Sequence, residues 1–210
     1  NLRGILASSG RAVSDFVRSY GIGASLVNMG SVGLMGALYI LIAGGDWNGP
    51  TMGGLLTMCG FAAFGKHPLN IVPIMAGVAL AGLVSGTDLA SESAILAALF
   101  GTTLAPISGH YGPLAGLAAG FLHLTIVTNV GYLHGGLNLY NNGFSGGLVA
   151  GILVPVLETI RERRRDGRGG HAAHAHRRGA PQVPLPPGSE VHQPPLRVRH
   201  GGRVELPRHG

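Results

Sequence analysis

Six ionisable side chains interrupt a long apolar stretch of this 210-residue chain, and their types could bind ions or relay protons. They are Lys66, His67, Asp88, Glu92, His110 and His123. A charge placed in hydrocarbon is costly, so such residues are functional candidates wherever a membrane surrounds them. Each also has a structural alternative. The lysine can extend its amine to the membrane interface, the acidic pair can lie in an aqueous loop beside a helix cap, and a neutral histidine can bond a backbone carbonyl.

Amide and other uncharged polar side chains form a second group, which could contact a polar solute. Its members are Asn28, Asn129, His134, Asn138, Tyr140, Asn141 and Asn142. Most of them fall within "HGGLNLYNNGFSGGLVAGIL", residues 134–153, which is dense in glycine and carries no charge. The stretch is either an exterior loop with an Asn-Gly turn or an unwound segment that dips into the bilayer. Its lack of charge favours the second interpretation.

Motifs for metal, cofactor and nucleic-acid chemistry are missing from the sequence. His110, His123 and His134 are numerous enough for a metal site, but their spacing matches no ligand pattern, and "HExxH" is absent. There is no phosphate-binding loop or nucleophile elbow, and the basic tail has too few aromatic residues to stack bases. We therefore expect no metal, no cofactor and no nucleic-acid partner, and an enzyme is a less favoured class than a transporter.

The elements that must position these residues follow from the distribution of charge. Residues 20–160 contain five charged side chains, whereas about a quarter of the residues in a soluble domain are charged. This block therefore predicts an all-α, polytopic membrane domain. Residues 1–19, with arginines among apolar residues, predict an interfacial amphipathic helix. Residues 161–210 are basic and rich in Pro, Gly, His and Arg, which predicts a disordered tail.

Hydropathy divides the membrane block into long and short segments. The long ones are 21–44, 69–86, 113–133 and about 143–160, and each is long enough to span hydrocarbon. Segments 50–64 and 90–107 are shorter, and we expect broken or re-entrant helices there. Arginines flank the first and last spans, which places both ends of the chain on the cytoplasmic side. That requires an even number of crossings, which either four or six would satisfy.

Glycine spacing and short repeats predict how these helices pack. Two series recur at every fourth residue: Gly112, Gly116 and Gly120, and then Gly143, Gly147 and Gly151. Such stripes let two helix backbones approach closely in lipid. "FGKHP" and "SGHYGP" each separate a short segment from a long one, and "NGPTMGGL" resembles "NGFSGGL". Paired broken helices of this kind are typical of a transporter-like site near the middle of the membrane.

Three stretches carry a resemblance to a known family. They are "GGLNLYNNGFSGGLVAGILVPVLE", "GTTLAPISGHYGPLAG" and "GDWNGPTMGGLLT". The sequence resembles, over about residues 1–165, the C-terminal part of a family of uncharacterised bacterial integral-membrane proteins (domain of unknown function 1576). The resemblance implies a longer multi-pass protein of the bacterial inner membrane. It implies no established activity, and therefore no functional residue.

Three functions compete at this stage. The first is a permease or channel-like protein for a small polar solute, embedded in the lipid bilayer and using the two groups of polar residues. The second is a structural membrane subunit whose glycine faces bind partner helices or a second copy of the chain. The third, least favoured, is a membrane-embedded enzyme.

Overall fold

A computed structural model describes residues 1–11, 14–135 and 137–179, with backbone alone at 134, 138 and 165–179. The helices are α1 (Leu2–Ala7), α2 (Phe16–Tyr20), α3 (Ile22–Ala43), α4 (Gly49–Phe61), α5 (Pro68–Ser85), α6 (Glu92–Gly101), α7 (Ala105–Tyr111), α8 (Pro113–Asn129) and α9 (Asn138–Gly179). Short 3-10 turns occupy Ala62–Phe64, Thr102–Leu104 and Gly131–His134. These ranges contain no strand, which confirms the all-α prediction.

The chain divides into two compact parts, Asn1–Asp166 and Gly167–Gly210. For residues 167–210 the structure describes the backbone as far as Gly179, and this stretch is helical. Within the tail predicted to be disordered, residues 161–179 are therefore helical. Residues 180–210 lie outside the described residues, and disorder there stays a prediction.

Four helical segments are long and apolar enough to cross a membrane: Ile22–Ala43, Pro68–Ser85, Glu92–Tyr111 and Leu139–Arg164. The prediction of four long segments is confirmed. The third predicted segment, 113–133, is wrong, because the third long segment is Glu92–Tyr111. The segment from Glu92 is long because the 3-10 turn carries the chain from α6 into α7, and Pro106 falls in the first turn of α7, where proline is tolerated. Helix α8 is shorter because it ends at Asn129.

Apolar and polar side chains are distributed as hydrocarbon surroundings require. Ile42 and Leu114 are 77% and 82% exposed on the outside of the helices, whereas Asn28, Thr102 and His123 are fully buried. Water would favour the opposite arrangement, because large exposed apolar faces are rare on soluble proteins. The chain is a membrane protein with transmembrane helices.

The N-terminal segment differs from the single amphipathic helix predicted over residues 1–19. It contains two separate helices, α1 and α2, and Ile5 and Phe16 are buried against the other helices. Gly10 has a φ of +64° and lies against the backbone of Gly65, whose φ is +112°. This close backbone contact, which only glycine permits at both positions, holds the N-terminal segment against the protein.

Two similar units form the centre of the protein. The first is α4, a 3-10 turn and α5; the second is α6, a 3-10 turn, α7 and α8. Helices α5 and α8 run side by side in the same direction, with Gly77 against the Leu117 carbonyl and Gly120 against that of Ile74. Gly120 lies 43 residues after Gly77, and Leu117 lies 43 residues after Ile74. The two helices therefore use equivalent positions, and the contact is nearly symmetric. This arrangement agrees with the repeat of "FGKHP" and "SGHYGP" in the sequence. It does not include the second repeat, because "NGFSGGL" lies in α9, outside both units.

We expect Gly120→Ala to lower the free energy of unfolding by about 1–3 kcal/mol, because its new methyl group would collide with the Ile74 carbonyl in a packed interface. Thermal melting in detergent measures the effect. Gly147→Ala is the matched control, since a methyl group there meets no neighbouring side chain or backbone. Equal melting temperatures for the two variants would show that the contact between α5 and α8 is not tight.

Candidate functional site

Lys66 lies in the break between the 3-10 turn of the first unit and α5. It is only 6% exposed. Its Nζ donates a hydrogen bond of 2.9 Å to Thr102 Oγ1, and the threonine hydroxyl donates in turn to the Leu99 carbonyl at 2.5 Å. The lysine therefore points into the protein and joins its two units. The alternative in which its amine extends to the membrane interface is wrong.

The depth of this contact follows from the position of Thr102 along its helix. Thr102 comes ten residues after Glu92 and nine before Tyr111, the two ends of the span. At the helical rise, that is roughly 15 Å from either end, about halfway along this apolar segment. Lys66 Nζ lies at the same depth because it bonds to Thr102.

The surroundings of the Lys66 amine are unusually poor in compensating charge. In the described part of the chain, no carboxylate lies within ion-pairing distance of Nζ. The face of the Phe61 ring lies 5.4 Å from the amine and provides weak cation–π stabilisation. A buried cation without a counter-ion is strongly disfavoured, so burial of this amine carries a cost in free energy.

Asn28 on α3 holds the break in place. Its Nδ2 donates to the carbonyls of both Ala62 and Lys66, each at 2.8 Å. These carbonyls follow the end of α4 and would otherwise be buried without a partner, as helix ends commonly are. The Oδ1 of Asn28 is buried and has no hydrogen-bond partner among the described residues. The residue thus positions Lys66 and leaves one acceptor facing the interior.

A second amide, Asn70, was not among the predicted site residues. Its Nδ2 donates to the Gly65 carbonyl at 2.9 Å, and its Oδ1 accepts from the His67 backbone N–H at 2.9 Å. The signal was present in the sequence as "HPLN", since proline in the first turn and an asparagine two residues later suit a capped helix start. Thr102 was also missed, although paired threonines before a proline mark the 3-10 turn.

His67 connects the same break to the N-terminal segment. Its Nε2 donates to the Ser8 carbonyl at 3.0 Å, and its Nδ1 is buried without a partner in the described residues. Burial lowers the pKa of His67, so the ring is neutral near physiological pH. The residue thus binds a backbone carbonyl as a neutral histidine, an arrangement that we expected for His123 as its structural alternative.

Stability should fall as the pH drops below the ordinary imidazole pKa of about 6.5, because the unfolded chain then binds a proton that folded His67 resists until its own, lower pKa is reached. Melting experiments in detergent between about pH 7 and about pH 5 measure this. His67→Gln keeps a donor for Ser8 and removes the titration, so its stability should depend less steeply on pH. Parallel curves for the two proteins would contradict the prediction.

His123 is the second buried ionisable group of the interior. It is fully buried on α8, packs against Gly101 beside Thr102, and bonds through Nε2 to Asn142 Oδ1 at 3.0 Å. Its Nδ1 has no partner among the described residues. The structure thus brings two predicted residues, from different candidate groups, into direct contact.

The asparagine-rich stretch adopts neither of the two predicted conformations. Helix α9 begins at Asn138, so "NNG" lies within a helix rather than in a loop or an unwound segment. Asn141 and Asn142 are buried, whereas Tyr140 is 61% exposed. Asn142, one turn into the helix, bonds to the buried His123. The side chains of His134 and Asn138 lie outside the described residues.

Several other predicted residues lie away from this interior. Asp88 is exposed and accepts from the Ala90 N–H at 3.0 Å, while Glu92 accepts from Asn48 Nδ2 at 3.0 Å at the start of α6. Asn129 is exposed and bonds to the Thr125 carbonyl. The loop-and-cap interpretation therefore describes the acidic pair, with Ser91 as the cap. His110 lies at the opposite end of the span, near Arg11 and Arg161.

The glycine series also separate. Gly116 and Gly120 pack inside the protein against Ser108 and Ile74, and Gly112 begins α8 with a φ of +98°. In α9, a methyl group added at Gly143, Gly147 or Gly151 would meet no neighbouring segment. Two members of the first series, Gly116 and Gly120, thus contribute packing contacts within the chain, whereas Gly112 contributes a turn and the second series faces outward.

No three His, Cys, Asp or Glu side chains of the described residues lie close enough together to hold a metal ion. Sequence comparison adds the family: residues 1–159 match the model described as "Protein of unknown function (DUF1576)". The chain belongs to this family. The match includes Lys66, Thr102, His123 and Asn142, the residues that form the buried polar interior. No curated protein and no solved structure matches the chain.

Proposed function

We propose that this DUF1576 protein is a permease or channel-like protein that carries a small polar solute across the membrane, with Lys66 as the solute-binding group. The observation that supports it is the buried Lys66 amine, held by a hydroxyl about halfway along the Glu92–Tyr111 segment and without a nearby described carboxylate. We infer that the amine lies well inside the membrane. Ionisable residues at this depth are characteristic of substrate and ion pathways. Their cost is justified when a solute forms the missing interactions.

The donors and acceptors around Lys66 favour a solute with negative charge or strong acceptor oxygens. An ammonium group has three donors, and one is used by Thr102. Asn28 Oδ1 adds a buried acceptor beside the same break. A small carboxylate or inorganic anion with a hydroxyl or protonated group would satisfy both.

His123 is the candidate proton site for coupled transport. It lies next to Gly101, and therefore close to Thr102, while its Nδ1 remains available. Solute binding at Lys66 could change the hydrogen bonding at Thr102, one residue from this contact. Coupling of solute and proton sites in adjacent units is consistent with the repeat architecture of many transporters.

The orientation is also part of the proposal. Arg11 of the N-terminal segment and Arg161 of α9 both contact His110, so the two arginine-bearing regions lie at one end of the helices. We propose that this end is cytoplasmic in a bacterial inner membrane, since arginine and lysine favour that side. Labelling of an Arg163→Cys variant in intact cells tests it, and rapid labelling by an impermeant reagent from outside would reverse the orientation.

Solute flux into proteoliposomes tests the proposed function. The panel should contain small carboxylates, inorganic anions and neutral amides and polyols, each with and without a pH gradient. The expected result is saturable uptake of one anionic or oxygen-rich class. A correctly folded protein that is inert across the whole panel would overturn the proposal.

The outward glycine series favours a second candidate, a structural subunit. Gly143, Gly147 and Gly151 leave one face of α9 open to a close helix–helix contact with a second copy or a partner. Gly147→Leu should then convert an oligomer into a monomer, measured by size-exclusion chromatography with light scattering. An unchanged mass would remove this candidate without affecting the permease.

A further inference from the structure

A groove between α8 and α9 lies at the end of the protein that carries the arginines. Its volume is about 480 Å³. Much of its wall is apolar and consists of Leu114, Ala118, Leu153, Leu157 and Ile160. Leu114 is 82% exposed, so the groove is open to the surroundings of the helices. Its shape and apolar lining suit a hydrocarbon chain.

Basic side chains close one end of this groove. Arg161 and Arg164 line it together with His110. Arg11 Nη1 lies 3.5 Å from His110 Nε2, and Arg161 Nη1 is also within hydrogen-bonding distance of that nitrogen. Because guanidinium groups only donate, His110 Nε2 accepts from Arg161, and the Arg11 guanidinium lies at the limit of hydrogen-bonding distance from the same nitrogen. Two permanent positive charges therefore converge on one neutral ring.

Acidic side chains nearby do not line the groove itself. Glu158 accepts a 2.6 Å hydrogen bond from the Tyr111 hydroxyl, and together with Glu162 it borders an adjoining cavity beside Arg11 and Arg161. The residues that line the groove include two arginines and no carboxylate. The groove thus combines an apolar wall with a positively charged end.

We propose that this groove binds an anionic phospholipid, with the phosphate beside Arg161 and Arg164 and an acyl chain along Leu114 and Leu157. Guanidinium groups bind phosphate oxygens strongly, and basic pockets between transmembrane helices are suited to anionic headgroups. A free phosphate would use the charges but leave the apolar wall without a function. The proposal is independent of transport.

Binding of fluorescent phosphatidylglycerol to the purified full chain in neutral detergent tests it. Arg161→Gln and Arg164→Gln should each weaken binding about fivefold, the effect of one basic residue near an anionic headgroup. Arg163→Gln removes the same charge from the same end of α9, outside the groove lining, and should bind like the wild type. Phosphatidylcholine should compete poorly.

Ala118→Trp fills the apolar wall without changing charge and should also weaken binding, provided that its melting temperature confirms folding. Equal losses in Arg161→Gln and Arg163→Gln would overturn the proposal, since they would indicate general electrostatic attraction. Inorganic phosphate that displaces the lipid at equal concentration would also overturn it, because it would show that the acyl chain contributes nothing.

Discussion

Lys66→Met should reduce solute flux in proteoliposomes by about tenfold or more while the protein remains folded. The loss corresponds to one charge-assisted hydrogen bond to the solute, worth about 1.5–3 kcal/mol. Methionine keeps much of the length of lysine and adapts to irregular spaces, but it removes the positive charge. Because a buried cation without a counter-ion is costly, the variant should be as stable as the wild type or more stable.

The pairing of the two measurements makes this result specific. Arg163→Met is the control, since it removes a positive charge from an exposed position far along α9. It should change neither flux nor melting temperature. Normal flux in Lys66→Met would exclude the lysine as a solute ligand. A strong loss of stability instead would indicate that its bond to Thr102 is structural.

Asn28→Leu should produce the largest loss of stability among the variants considered, about 2–6 kcal/mol. The substitution leaves the Ala62 and Lys66 carbonyls buried without their donor, and each unsatisfied group costs about 1–3 kcal/mol. In a membrane no water from the bulk replaces the donor cheaply. Thermal melting in detergent gives the magnitude.

Asn129→Leu is the matched control for this variant. Asn129 is exposed and bonds only locally, to Thr125 and Thr128, so its replacement should change stability by less than about 0.5 kcal/mol. Similar melting temperatures for the two variants would mean that Asn28 does not hold the break. Asn28→Leu should also reduce flux, because the break positions Lys66.

The candidate site could be recognised only in part from the sequence. Lys66 and His123 were identifiable because an ionisable residue in an apolar segment stands out by type alone. The two carbonyls that Asn28 binds lie 34 and 38 residues away along the chain. The amide that His123 binds lies 19 residues away, on another helix. The helices are apolar on nearly every side, so periodicity does not indicate which face meets which neighbour.

The sequence by itself determined the surroundings and the class of fold. Five charges over residues 20–160 require hydrocarbon, and hydrocarbon requires helices because their backbone groups bond internally. Tertiary structure alone decided that Lys66 turns inward to Thr102 and that the asparagine-rich stretch is helical. The physical reason is that hydropathy reports the solvent around a segment. Inter-helix contacts depend on close backbone approach, as at Gly77 and Gly120, and on distant polar groups that satisfy one another.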